Sequence, residues 1–105
     1  MFQVTSENFE AEVLKSNIPV LVEFFAVWCG PCKAMEPVLA SCAAEYNGQI
    51  KVGKLDIEEH GDIAMKYGIM NVPTIVVFKS GKVVNRLAGL RKEKELRAAI
   101  DAVLS

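Results

Sequence analysis

No stretch of this chain is apolar for long enough to cross a bilayer. Its longest hydrophobic runs, IPVLV and FFAVWC, are interrupted by Glu23 and fall short of the ~20 residues that a membrane helix needs. A surplus of positive charge is also missing, because 12 Lys and Arg against 13 Asp and Glu leave a formal net charge of -1. Without a basic field, neither nucleic acid nor a membrane surface is an expected partner. The opening residues MFQVTSENFE contain no basic segment followed by an apolar one. They do not read as a secretory signal, and a cytoplasmic address is expected. Repeats, low-complexity tracts and linkers are lacking, so residues 1–105 are expected to form a single domain. Neither G-x-G-x-x-G nor a P-loop occurs, and no cofactor is expected. Nothing in the sequence signals oligomerisation, and a monomer is expected.

What is present is an ordinary globular composition, with 51% hydrophobic and 24% charged residues. A chain of this size buries roughly 60–70% of its unfolded surface, enough for a core without staples. The hydrophobic pattern alternates in period. Residues 2–5 suggest a short strand, after which Ser6 is placed to cap a helix containing Phe9, Val13 and Leu14, with Glu7 and Glu10 near its positive end. IPVLVEFFAVW is apolar on both parities, as a strand covered on both faces must be. From about Pro31 the period turns helical, with Met35, Val38, Leu39, Cys42 and Tyr46 on one face. Pro37 falls inside that helix and is expected to kink it.

IKVGKLDI predicts the next strand, and residues 58–67 a helix with Ile63 and Tyr67 inward. TIVVF and VVNRLA flank SGK as a hairpin, and residues 92–104 close the chain with a helical stripe of Leu96, Ala99, Ile100, Val103 and Leu104. A strand–helix–strand unit implies parallel strands joined by a crossover, and the hairpin adds antiparallel ones. The expected class is therefore α/β, a mixed sheet between helical layers.

Two of the three cysteines lie in WCGPCK, Trp28 to Lys33, where the buried strand ends and the helix begins. At that junction Cys29 meets unpaired N–H groups and the positive end of the helix, which favour the nucleophilic thiolate. Cys32, three residues on, falls on the same helix face. Pro31 suits a first turn, and Gly30 admits the close approach of another backbone. Structural zinc is the competing use of such a pair. It needs four ligands, and by count Cys29, Cys32, Cys42 and His60 would supply them. Cys42 lies ten residues beyond Cys32, about 15 Å along one helix at ~1.5 Å per residue, which argues against a shared metal. The same separation excludes a Cys32–Cys42 disulfide.

VEFFAVWCGPCK, KYGIMNVPT, VVFKSGK and AGL together resemble the thioredoxin family, in order, from about residue 2 to 104. The resemblance implies the thioredoxin fold, a central mixed sheet of about five strands flanked by four helices. It implies a protein-disulfide reductase working by dithiol–disulfide exchange, in which Cys29 attacks, Cys32 resolves and a redox disulfide joins them. Disulfide-containing proteins would be the targets and a thioredoxin reductase the recycling partner. It further implies that Pro73 of Val-Pro-Thr is cis and faces the cysteines, and that Trp28, Gly30, Pro31, Val72, Gly89 and Leu90 form an apolar substrate surface.

Glu23 is the only charge in its strand. A buried carboxyl resists ionisation, and the functional reading makes it proton acceptor and donor for Cys32. The alternative is a strand-end side chain that reaches solvent. The family most often has aspartate here, one methylene shorter. By resemblance Lys54 pairs with Glu23; by residue type alone it would sit on a solvated face. Where Phe25 stands the family often has Trp, and conserved bulk predicts no functional change. Cys42 reads as a small buried hydrophobe, with a regulatory thiol as the other reading. His60, beside Glu58 and Glu59, reads as a solvated turn residue.

Two other functions fit the same residues. An oxidase or isomerase of similar fold often carries histidine between its cysteines, and Gly30–Pro31 argue for the reducing direction. A purely structural binding module would have no need of both thiols. If the assignment of the thiols is correct, alkylation of the reduced, native protein labels Cys29 first. Preferential labelling of Cys42, read by peptide mass mapping, would refute it.

Overall fold

A strand that is apolar on both parities belongs in the middle of a sheet, and the computed structural model, which describes residues 1–105, places it there. In chain order the strands are β1 (Phe2–Gln3), β2 (Val20–Phe25), β3 (Lys51–Asp56), β4 (Thr74–Lys79) and β5 (Lys82–Ala88). They form one mixed sheet in the order β1-β3-β2-β4-β5. The β1–β3 and β3–β2 pairs are parallel; the β2–β4 and β4–β5 pairs are antiparallel. Three α-helices accompany them, α1 (Gly30–Glu45), α2 (Gly61–Lys66) and α3 (Glu93–Leu104), together with a single π-helical segment over Glu10–Leu14.

Alternation along β2 divides the core in two. Leu21 points to a cluster with Met35, Leu39 and Cys42 of α1, Leu96 and Ile100 of α3, and Ile75 and Val77 of β4. Val20, Val22 and Phe24 point the other way, to Phe9 and Val13 of the N-terminal segment, Ala64 of α2 and Val76 and Phe78 of β4. On that face Phe9, Tyr67 and Phe78 form an aromatic trio with ring centroids 5.4–5.7 Å apart. Burying a side chain such as Leu21 or Ile100 contributes about 1.5–3 kcal/mol each. The predicted stripes of α1 and α3 both face this core, and Cys42 is fully buried among α1's apolar residues. The α1 helix runs unbroken through Pro37, which lies on its exposed side.

The N-terminal segment differs from expectation. Thr5 and Asn8, not Ser6, close the local turn: Thr5 N–H donates to Asn8 Oδ1 at 2.7 Å and Asn8 N–H to Thr5 Oγ1 at 3.0 Å. The Ser6 hydroxyl, freed from capping, donates instead to Asp62 Oδ1 at 2.6 Å, and Ser6 N–H donates to His60 Nδ1 at 3.1 Å. His60 is consequently a half-buried tie between the N-terminal segment and α2 rather than a solvated residue. The helix expected over 58–67 is confined to Gly61–Lys66.

Two glycines are dictated by space or backbone. At Gly53 a Cβ would lie 2.7 Å from Phe2 Cε1 and 2.8 Å from Val4 Cγ2, so any larger residue there would push the Phe2 and Val4 side chains from their places. At the β4–β5 turn both Ser80 (φ 53°) and Gly81 (φ 77°) are left-handed, the pattern that matches the twist of a two-residue hairpin. A Cβ on Gly81 would also meet the Leu14 carbonyl oxygen at 3.0 Å. Gly81→Ala is expected to lower stability by about 1–2 kcal/mol in urea unfolding. Ser80→Gly should change it by less than about 0.5 kcal/mol, because relief of the left-handed serine offsets the added chain entropy. Equal losses from the two changes would contradict this account of the turn.

Candidate active site

The site lies at one edge of the sheet, and the strand register determines which loops meet there. The C-terminal ends of parallel β2 and β3, the start of β4 and the end of β5, where Thr74 faces Ala88, all reach that edge. The residues leaving these ends are Ala26–Cys29, Ile57, Val72–Pro73 and Gly89–Leu90.

Cys29 occupies the cap position of α1 in an extended conformation. Its N–H donates to Ala26 O at 3.1 Å, and its Sγ accepts the Cys32 N–H at 3.2 Å. A thiolate at Cys29 would be met by that same N–H and by the helix dipole, with no acidic residue in the first turn to oppose it. Cys29 and Cys32 are joined as a disulfide with Cα atoms 5.3 Å apart, and both are almost fully buried. They are packed with Ala26 against Phe25, Ile57 and Val72. Ile57 escaped the sequence reading. The available signal was an apolar residue just past the end of a strand parallel to β2.

The Val72–Pro73 peptide bond is cis. Pro73 is buried, and its carbonyl accepts the Gly89 N–H at 2.8 Å, which ties the β5–α3 loop to the segment beside the sulfurs. Trp28 is 66% and Leu90 60% exposed, Gly30 and Pro31 are exposed, and Val72 and Gly89 are half-buried. The rim is therefore apolar and free of charged side chains at these positions.

Behind the sulfurs is a cavity of ≈ 290 Å³, lined by Glu23, Cys32, Lys33, Glu36 and Lys54 with Phe25, Ala26 and Val27. Glu23 is completely buried, and neither of its carboxylate oxygens has a hydrogen-bond partner. Burial chiefly, and then the negative charge of Glu36, push its pKa up to about 7; Lys54 opposes the rise. The solvent-reaching alternative for Glu23 does not hold.

Lys54 departs from expectation. It stands opposite Glu23 in the β2–β3 register, yet its Nζ donates to Glu36 Oε1 at 2.5 Å and lies 5.2 Å from the centre of the Phe25 ring. Glu23 receives no hydrogen bond from it. Lys54 thus influences Glu23 only through its field, and Phe25 contributes more than bulk. Glu36 was also not singled out from sequence. Its signal was a carboxylate four residues after Cys32, hence on the same helix face. Cys32, Glu23 and Lys54 share the cavity, Cys29 is bonded to Cys32, and Val72, the residue before Pro73, packs on the sulfurs; Cys42 and His60 lie outside the site.

The family model described as Thioredoxin matches residues 1–102. The chain is 46% identical over 97 residues to "Thioredoxin C-2" of Corynebacterium nephridii, covering 92% of this chain and 90% of that one. It is 46% identical over 99 residues to a thioredoxin of Pseudomonas aeruginosa, covering 94% and 92%. Likeness at this level over nearly full lengths, joined to the observed Cys29–Cys32 pair, identifies a thiol–disulfide oxidoreductase acting by dithiol–disulfide exchange: the chain belongs to the thioredoxin family.

Proposed function

We propose that the protein reduces disulfides in other proteins, with distinct roles for its two sulfurs. The carrying observation is that Cys32, and not Cys29, lines the cavity that holds buried Glu23. The Cys29 thiolate, favoured at the helix cap, attacks one sulfur of a target disulfide. A mixed disulfide forms and the first target thiolate leaves. The Cys32 thiol passes its proton toward Glu23, and the resulting thiolate attacks Cys29 Sγ. The mixed disulfide breaks, the second target thiol is released, and two electrons have moved from the Cys29–Cys32 dithiol to the target. The cavity has room for a water between thiol and carboxyl. A carboxyl with a pKa of about 7 can both take and return a proton near neutrality.

The reducing direction is supported by Gly30 and Pro31, which add no positive charge beside the Cys29 thiolate. Trp28, Gly30, Pro31, Val72, Gly89 and Leu90 would receive an extended segment of the target, with the backbone before Pro73 as its rail. The electrons would return from a thioredoxin reductase, and the protein would act as a single-domain monomer in the reducing cytoplasm. No helix is long and apolar enough to cross a membrane.

Cys32→Ser is expected to accumulate covalent complexes with target proteins on non-reducing gels, released by dithiothreitol. Absence of such complexes would defeat the exchange assignment.

Glu23→Gln is expected to slow resolution by about 100-fold while changing initial attack by less than about threefold; equal slowing of both steps would remove its role. The same variant tests the buried charge. The folded protein keeps a proton on Glu23 up to about pH 7, whereas the unfolded chain releases it near 4.5. Below 4.5 both states are protonated and Glu23 does not affect stability. As pH rises from 4.5 to 7 the unfolded chain ionises while the buried carboxyl keeps its proton, so stability falls by roughly 3 kcal/mol in all and levels off once the folded protein also ionises above 7. The oxidised wild type should therefore lose stability across this window relative to Glu23→Gln, measured by urea unfolding at several pH values. Parallel curves for the two proteins would contradict the burial of an ionisable Glu23.

A further inference from the structure

Glu23 and Lys54 stand opposite each other on neighbouring strands, on the face of the sheet that α1 covers. A lysine so placed would ordinarily turn to an unpaired carboxyl beside it. Here it does not. Its ammonium is held by Glu36 at 2.5 Å on one side and by the Phe25 ring, 5.2 Å to the centroid, on another. Glu23 is left with two oxygens that nothing contacts through a hydrogen bond. Glu36 lies one helical turn beyond Cys32, so thiol, carboxyl and the diverted ion pair all border the same cavity.

We propose that Glu36 is a positioning residue for the exchange reaction: by holding the Lys54 ammonium it keeps Glu23 unpaired inside the cavity and available to Cys32. The proposal rests on the reading of Glu23 as the proton acceptor and donor for Cys32. The groups facing Glu23 from the surrounding elements are few. From β3 there is Lys54; from α1 there are Glu36, Lys33 and Cys32; from β4 its register partner is uncharged Ile75. Lys54 is thus the cation whose position matters most, because it sits directly across the strand pair. An ammonium within about 4–6 Å of a carboxyl lowers its pKa by roughly 1–3 units, and a paired carboxylate is a correspondingly weaker proton acceptor. Glu36 opposes that outcome in two ways. It draws the ammonium to itself, and its own negative charge disfavours a second carboxylate nearby. The first way depends on Lys54 and the second does not, which makes them separable.

The test is a direct titration of the Glu23 side-chain carboxyl carbon by NMR in the oxidised, full-length protein. Wild type, Glu36→Gln, Lys54→Met and the double variant are compared. In the wild-type background Glu36→Gln is expected to move the Glu23 midpoint downward by about one pH unit, as Lys54 turns to the vacated partner. In the Lys54→Met background the same substitution should move it by less than half as much. An unchanged midpoint in Glu36→Gln, or equal shifts in the two backgrounds, would overturn the proposal. A second readout is the pH dependence of Cys32 resolution in single-turnover reactions with a disulfide-bonded protein, which should shift with the carboxyl midpoint. A midpoint that moves as expected while the resolution profile stays in place would uphold the hold of Glu36 on Lys54 and overturn the role of Glu23 in exchange.

Discussion

The structure is organised around one expensive burial. β2 is sandwiched between β3 and β4 and covered on both faces, so every residue from Val20 to Phe24 is withdrawn from water, Glu23 among them. Desolvating a carboxylate without a hydrogen-bond partner is among the most unfavourable arrangements a core can contain. It persists here because the carboxyl need not ionise below about pH 7, and because the rest of the strand is apolar enough to hold it. The same strand ends in the loop that places Cys29 at the cap of α1. One element therefore carries the buried carboxyl, leads into the helix and seats Cys29.

The two faces of the sheet divide the labour. On the face of α2 and the N-terminal segment the core is apolar and aromatic, with the Ser6–Asp62 and Ser6–His60 hydrogen bonds at its margin. On the opposite face the same kind of packing occupies Leu21, Met35 and Leu39 but stops at Glu23, where the cavity opens beneath the first turns of α1. The charged cluster of Glu23, Glu36 and Lys54 borders the cavity, while Leu96, Ile100 and their neighbours hold α3 against the sheet.

Much of this was legible in the sequence because it follows from periodicity. The doubly apolar β2, the stripes of α1 and α3, the Ser80–Gly81 turn and the junction position of the cysteine pair each leave a local mark. What escaped was decided by competition between polar partners. Ser6 had the chemistry of a cap, but Thr5 and Asn8 satisfied each other first, and Ser6 went to α2. Lys54 had Glu23 directly across the sheet, yet a half-exposed carboxylate on α1 offered it a partner without full desolvation. His60 had no apolar neighbours in sequence, and only the chain's return brought Ser6 to it. Ile57 packs on the sulfurs because β3 runs parallel to β2 and ends beside it, so its apolar character signals the site only once that pairing is known. Such choices depend on which groups meet after folding, and composition cannot rank them.

The hydrogen bond from Gly89 N–H to Pro73 O joins two loops by main chain alone. The spacing between those two parts of the rim is therefore indifferent to the side chains displayed around it. Leu90, largely exposed, can be exchanged for another residue without removing that main-chain bond. The link between the two loops is thus inherited with the backbone, whatever texture the surface around it displays.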